Sequence, residues 1–229
     1  MKLPISDRLL SCAGFIHRGD RVADIGCDHG YLSIHLLKNG IAVSCIAADV
    51  NEGPLRSAMG NARKYGVADK MTFFLSDGAQ SIPKDFDVMV CAGMGADTMV
   101  HILTCAPWLR SARYRLVLQC QSKTPMLRSY LSDHGWRIAA ETVLRDGRFL
   151  YTVMEAVYDP EHAALEAGEA YFPAVLLENP SADVSAYYRW VRDGLRIATA
   201  HQEDARKTKA LSYLEELAAH NPILQEECV

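Results

Sequence analysis

Residues 21–31 read R-V-A-D-I-G-C-D-H-G-Y, and their reading decides the fold. A short apolar run ends at Asp24-Ile25, Gly26 follows, and Gly30 opens a helix-length segment. That pattern is a buried strand, a tight turn and a helix start. The two glycines let the backbone bend sharply and approach a ligand. The helix start adds unpaired N–H groups and the positive end of a dipole. Loops of this kind that bind dinucleotides hold a pyrophosphate and carry a glycine at the middle position. Here that position is Asp28. A carboxylate repels pyrophosphate but suits an ammonium group or a sulfonium.

The alternation continues outward from this loop. Apolar runs at 21–25, 44–49, 71–75, 86–90 and 114–119 read as buried strands. Segments 30–39, 53–65, 95–106 and 124–134 between them read as helices. Strands separated by such helices form βαβ units and a doubly wound parallel sheet. The next two strand-like runs, W-R-I-A-A-E-T-V-L-R and R-F-L-Y-T-V-M-E-A-V, have only Asp146-Gly147 between them, a two-residue hairpin signal. The fold expected is therefore α/β: a Rossmann-like sheet of five parallel strands closed by an antiparallel hairpin. Class I S-adenosylmethionine-dependent methyltransferases have this arrangement, whereas a dinucleotide-binding domain more often continues with a sixth parallel strand.

Asp159-Pro160 ends the sheet, so the boundaries expected are 1–158 for this domain and 159–229 for a helical, coiled-coil-like one. Asn179-Pro180 separates a shorter helical piece near 161–177 from a longer stretch. From Val184, apolar residues recur at 188, 191, 195, 198 and 205, then 211, 214 and 217, one face of a helix or helical hairpin. Gly194 and the polar stretch 202–209 argue against a single unbroken helix.

The 229 residues are 49% hydrophobic and 23% charged, as in globular proteins. No apolar stretch approaches the ~20 residues of a membrane span, and the N-terminus lacks a signal-peptide core. The expectation is a cytoplasmic protein without a membrane partner. Seven cysteines, an odd number with no C-x-x-C pair, argue against a disulfide framework or a metal site. Charge is uneven: residues 1–158 hold 18 Lys+Arg against 15 Asp+Glu, residues 159–229 hold 6 against 13. The first part has room for a local basic face.

Acidic and glycine residues recur at the expected strand ends. Asp49 ends the second strand 25 residues after Asp24, where a carboxylate takes ribose hydroxyls. Asp77-Gly78 ends the third, where a carboxylate can accept from an adenine amino group. Ala92-Gly93-Met94-Gly95 ends the fourth, at the crevice where ligands bind open α/β sheets. The four features converge on one nucleotide-like cofactor.

V-A-D-I-G-C-D-H-G-Y-L, A-D-V-N-E-G-P-L, S-D-G and C-A-G-M-G-A-D-T-M-V-H-I-L resemble the bacterial tRNA (adenine-22-N1)-methyltransferase family, TrmK, through residues 3–157. The opening S-D-R-L also fits. The resemblance implies S-adenosyl-L-methionine as cofactor, tRNA as partner and no metal. It implies that Asp24, Gly26, Asp28 and Gly30 line the cofactor, that Asp49 takes the ribose, and that Asp77 and Gly78 flank the adenine. Val50, Ala92 and Gly93 count with the cofactor-binding residues, and Ala92, Gly93 and Met94 face the target base. One departure stands out: the family continues the fifth strand as Leu-Gln-Pro, where this chain has Leu118-Gln119-Cys120-Gln121.

The fourth-strand loop lacks the Asn/Asp-Pro-Pro-aromatic pattern of exocyclic-amine methyltransferases. Ring nitrogen N1 has an in-plane lone pair and attacks a methyl directly, leaving a cationic ring. Asp28 is the candidate catalytic residue, stabilising that charge or taking a proton from the N6 amino group. N1 lies on the pairing edge, so the base must be exposed first. Tyr31, Met94 and Gly95 are the candidates to receive it. Arg113, Lys123 and Arg128, with Arg110 and Arg115 nearby, are the candidates for phosphate. Two other functions compete: methylation of another RNA or a small molecule, and a cofactor-binding RNA-interaction protein without turnover. The sequence leaves the oligomeric state open.

Overall fold

The computed structural model describes residues 3–201 and 203–225; Cys228 lies outside them. Helix α1 (Asp7–Ala13) comes first, with Ser6 Oγ accepting the Leu9 N–H. The sequence reading contains no helix here, because seven residues are too few to show a periodicity. Then follow β1 (Asp20–Ile25), α2 (Tyr31–Lys38), β2 (Ala42–Asp49), α3 (Glu52–Tyr65) and β3 (Met71–Leu75). After them come β4 (Val88–Met94), α4 (Ala96–Cys105), β5 (Arg115–Cys120), α5 (Thr124–Asp133), β6 (Trp136–Asp146) and β7 (Phe149–Tyr158).

The sheet order is β3-β2-β1-β4-β5-β7-β6. The first five strands are parallel, and β7 runs antiparallel to both β5 and β6. The hairpin connection is Gly147-Arg148, one residue later than the Asp-Gly reading, since Asp146 pairs with Phe149 and Gly147 takes φ +59°. Glycine at the first central position supplies the positive φ such a turn needs.

Alternation along the strands makes two cores, one on each face. Ala23, Ile25, Met89, Cys91, Leu116 and Leu118 point toward α4 and α5, against Met99, Ile102 and Leu127. Val22, Val88, Val90 and Val117 point the other way, against Cys12, Leu32, Ile34, Leu36 and Ala58 of α1, α2 and α3. Asp24 shares the parity of Val22, so its side chain faces α2.

The C-terminal region is helical, as expected: α6 (Ala167–Tyr171), α7 (Ala182–His201), α8 (Ala205–Ala219) and α9 (Pro222–Gln225). The piece expected at 161–177 resolves into the five-residue α6 and a 3-10 turn at 174–177, split at Pro173. Val184, Tyr188, Val191, Leu195 and Leu214 are buried in a third core with Phe172 and Leu176. Ala205, placed on the apolar stripe by the sequence, is exposed, and Ala210 is buried instead. Residues 203 and 204 are not helical, and Asp204 caps α8 by accepting the N–H groups of Arg206 and Lys207. The charge imbalance is partly met within the fold: Arg137 pairs with Asp159 at 3.0 Å and Arg145 with Asp183 at 2.9 Å. Among the described residues no helix is long and apolar enough to cross a membrane.

Candidate functional site

The carboxyl ends of β1, β4 and β5 open into a cavity of about 480 Å³. Its wall includes Asp24, Gly26, Asp28 and Tyr31 from the first loop and helix, and Ala92, Gly93 and Met94 from β4.

The first loop is held by backbone hydrogen bonds and by two side chains, Asp49 on the Asp28 N–H and Asn61 on the His29 carbonyl. The N–H groups of Gly26 and Cys27 both donate to Ala48 O, at 2.8 and 3.0 Å, and Gly30 N–H donates to Cys27 O at 2.7 Å. Gly26 and Gly30 sit at φ +70°, and Asp28 at φ +49°. Aspartate tolerates this left-handed conformation better than most side-chain-bearing residues. The side chain of Asp28 is largely exposed, with Oδ1 3.7 Å from His29 Nε2. Gly30 is the N-cap of α2 and has no side chain to close its first turn. The His29 and Tyr31 rings lie 5.6 Å apart.

Asp24 is buried and accepts from Ser33 Oγ of α2 at 2.8 Å. Burial raises its pKa to about 6, against the lowering effect of the Ser33 hydrogen bond. Asp49 is also buried; its Oδ2 accepts the Asp28 N–H at 3.2 Å and its Oδ1 the Asn51 N–H at 2.9 Å. Each oxygen keeps a lone pair for a further donor. Val50 beside it is exposed. At the end of β3, Asp77 Oδ2 lies 3.2 Å from His101 Nε2 of α4 and accepts from Gln80 Nε2 at 3.2 Å. Gly78 takes φ +58° with Ile102 packed where a side chain would stand.

At the end of β4 the ladder to β5 shifts between Ala92 and Met94, and Gly93 takes φ +79°. Gly93 N–H donates to Gln119 Oε1 at 3.0 Å, Gln119 Nε2 donates to Cys120 O, and Gln121 N–H donates to Met94 O at 2.8 Å. The Gln119-Cys120-Gln121 departure therefore shapes this bulge, and Gln121 also lines the cavity. Gly95 lies against Ser122, whose Oγ would sit 2.8 Å from an added Cβ. Arg8 and Leu9 of α1 close the cavity from the other side. The sequence signal for them is the Ser6 cap with Asp7 in the first turn of α1.

Two of the candidate phosphate ligands lie elsewhere. Arg113 precedes β5, at the opposite end of the parallel strands from the cavity, where it donates to Asp85 at 3.2 Å. Arg115 is held there by Asp20 and Glu155, and Arg21 by Asp85 and Asp87. Arg128 is 0% exposed. It donates to Glu141 through Nε at 3.1 Å and Nη2 at 2.7 Å, and through Nη1 to the carbonyls of Ala170 and Tyr171. This guanidinium ties α5 to β6 and α6, and it has no face left for a phosphate. Lys123 does stand at the carboxyl end of β5, exposed, with Nζ 2.8 Å from Asp97. Among the described residues no cluster of three His, Cys, Asp or Glu side chains is placed to hold a metal.

The family described as Methyltransferase domain matches residues 5–154. The tRNA (adenine(22)-N(1))-methyltransferase of Bacillus subtilis strain 168 is 27% identical over 231 residues, 98% of this chain and 97% of that protein. The crystal structure of the B. subtilis m1A22 tRNA methyltransferase TrmK covers 98% of this chain and 98% of its own, at 26% identity and TM-score 0.77. Streptococcus pneumoniae Sp1610, solved in complex with S-adenosyl-L-methionine, covers 96% of this chain and 99% of its own, at 27% identity and TM-score 0.81. These likenesses extend through the C-terminal helices.

Proposed function

The chain belongs to the methyltransferase-domain family, and we propose that within it the chain transfers a methyl group from S-adenosyl-L-methionine to N1 of adenine 22 in tRNA. The observation that carries this reading is the cavity in which the acidic first loop faces the Gly93-Met94 bulge. It joins a place for a cationic cofactor to a place for a flat base. A second support is the length of the likeness to the B. subtilis enzyme, 98% of this chain.

The residues present fit the cofactor. Gly26 brings bare backbone to the cavity wall with Met94 packed across it, Gly30 lets α2 start close against Ala58, and Asp49 offers two carboxylate oxygens already fixed by backbone N–H groups. Asp24 and Asp28 bring negative charge to the loop, which favours a cationic ligand over a pyrophosphate. Asp77, in contact with His101 and Gln80 at the end of β3, takes the cofactor's adenine amino group. When bound, S-adenosyl-L-methionine supplies a sulfonium-activated methyl group to the in-plane lone pair of adenine N1.

Met94 and Tyr31 wall the space for the exposed target base, as bases taken out of a stack require. Asp28 stabilises the positive charge on the methylated ring or takes the N6 proton. Gln119 fixes the Gly93 N–H and so the shape of the bulge beside that base. The domain expected at 1–158 carries the chemistry, and the helices α6 to α9 pack on it through Arg128 and through Val143 of β6. Lys123 reaches a phosphate of the RNA. The activity belongs in the cytoplasm, where tRNA is matured. The test is incubation of unmodified tRNA transcript with S-adenosylmethionine, followed by digestion to nucleosides. The reading requires 1-methyladenosine in the digest; N6-methyladenosine, or no methylated nucleoside, contradicts it.

A further inference from the structure

A second cavity, of about 420 Å³, lies between the carboxyl end of β5, strand β7 and helix α7. Of its lining, Gln121 and Lys123 have been met above, and the cavity itself has no role there. Its walls are mostly aromatic and aliphatic: Tyr151 of β7, then Tyr187, Trp190 and Leu195 of α7. The volume lies within the range of pockets for small organic ligands.

Four observations say what it takes. First, it adjoins the methyl-transfer cavity, since Gln121 lines both. The Arg8 guanidinium, in the wall of the first cavity, lies 5.4 Å from the Tyr151 ring centre in the wall of the second. Second, Trp190 is 67% exposed, with its ring 5.8 Å from Tyr187 and tilted by 30°. A large aromatic face turned to solvent beside a cavity is a platform for a flat ring. Third, Gly194 stands inside α7 one turn after Trp190, and a Cβ there would meet nothing within 4 Å. Glycine inside a helix is unfavourable; here its missing side chain keeps the floor open. Fourth, Lys123 and Lys207 both stand on the lining; each is paired with an aspartate, Asp97 at 2.8 Å and Asp204 at 3.1 Å, and each supplies a cation that a phosphodiester can share. Thr152, also on the lining, has a buried hydroxyl with no hydrogen-bond partner among the described residues.

We propose that this cavity takes an unstacked nucleotide of the tRNA strand next to the methylated adenine, its base against Trp190 and its phosphate between Lys123 and Lys207. The inference rests on the functional reading above. When the target base leaves its stack, a neighbouring base loses its partner too, and the second cavity gives it an apolar wall. The site thereby contributes to the choice of RNA without touching the reacting atoms.

The test compares the full-length protein with Gly194→Leu and Trp190→Ala. A Cβ at Gly194 meets nothing within 4 Å, so Gly194→Leu adds an apolar side chain at the cavity lining. The readouts are KM and kcat for unmodified tRNA transcript, S-adenosylmethionine affinity by calorimetry, and melting temperature. In both variants tRNA KM rises about tenfold or more, as loss of a base–aromatic stack does. Cofactor affinity stays within twofold, the Gly194→Leu melting temperature does not fall, and Trp190→Phe retains most of the wild-type KM. An unchanged tRNA KM in Gly194→Leu, or an equal loss of cofactor affinity, overturns the inference. Wild-type protein that transfers no methyl to tRNA overturns the functional reading itself, and this inference with it.

Discussion

The terminal methyl of Met94 occupies the space that a Cβ on Gly26 would need. The two residues come from the ends of β1 and β4, which pair side by side. The first glycine of the loop thus does two things. It takes a left-handed turn at φ +70°, and it lets the fourth-strand residue lie across it. The cofactor loop and the wall for the target base are in direct contact at this point.

Replacing Gly26 with alanine forces both the backbone and Met94 to move. A non-glycine residue at this φ costs about 1–2 kcal/mol. The displaced Met94 enters the cavity. Gly26→Ala is expected to weaken S-adenosylmethionine binding by about tenfold or more, measured by calorimetry. Adding Met94→Ala relieves the contact but not the backbone, so it restores part of the loss. Equal affinities for the single and double variants would show that Met94 plays no part.

Asp24 makes stability depend on pH. Its folded pKa of about 6 lies above its ordinary value of 3.8. The folded protein therefore holds the proton more tightly than the unfolded chain. Stability from this group is complete below about pH 4 and is lost as pH rises through about 6. A shift of about two units corresponds to about 3 kcal/mol. Asp24→Asn removes this loss, so in the absence of cofactor the variant is more stable than wild type at pH 8, and the two converge toward pH 4. Urea unfolding at both pH values measures it. Profiles that stay parallel from pH 4 to pH 8 contradict the assignment.

Arg128 belongs to the fold and not to the RNA surface. Removing one partner of a fully buried ion pair leaves the other charge unpaired, at about 3–5 kcal/mol. Arg128→Ala is expected to lower stability by that order in chemical denaturation. In protein that remains folded, the salt dependence of tRNA binding keeps its wild-type slope. Lys123→Ala is the contrast: stability unchanged, and a shallower slope by about one counterion. A shallower slope for Arg128→Ala would return it to the interface.

Asp28 separates binding from chemistry. It is exposed, already committed to a left-handed turn, and lies in the cavity wall. Asn tolerates the same conformation, so Asp28→Asn changes charge and little else. The expected result is a fall in kcat by about 10²-fold, the lower end for a proton-transfer or charge-stabilising group, with cofactor affinity within a few-fold. Turnover that survives while affinity falls would make Asp28 a cofactor ligand only.

The parallel strands were legible to within two residues at most ends, because strands buried on both faces are unbroken apolar runs between turn residues. β4 runs to Met94, past the expected end at Val90, since the Gly93 bulge keeps pairing with β5 in a way that composition does not mark. That the first loop, Asp49 and Asp77 stand along one edge of the sheet was legible for a related reason: residues that end parallel strands share that edge; of the acidic residues, Asp24 and Asp28 line the cavity and Asp49 and Asp77 lie outside its lining. That same rule places Arg113, which precedes a strand, at the far edge. Arg128 was not legible. Its partner Glu141 lies on β6 and its carbonyl acceptors on α6, and no local pattern announces a pairing of that range. The role of Gln119 was equally hidden, because it depends on a bulge in the neighbouring strand.

The central claim is a methyl group placed on one ring nitrogen of one nucleotide, and primer extension tests it most directly. Reverse transcription stops at 1-methyladenosine, because the methyl group blocks the pairing edge. After incubation of unmodified tRNA transcript with the protein and S-adenosylmethionine, the account predicts a stop at adenine 22 that disappears when that adenine is replaced by guanine. A stop at another adenine, or full-length extension through a transcript that has taken up methyl groups, would contradict it.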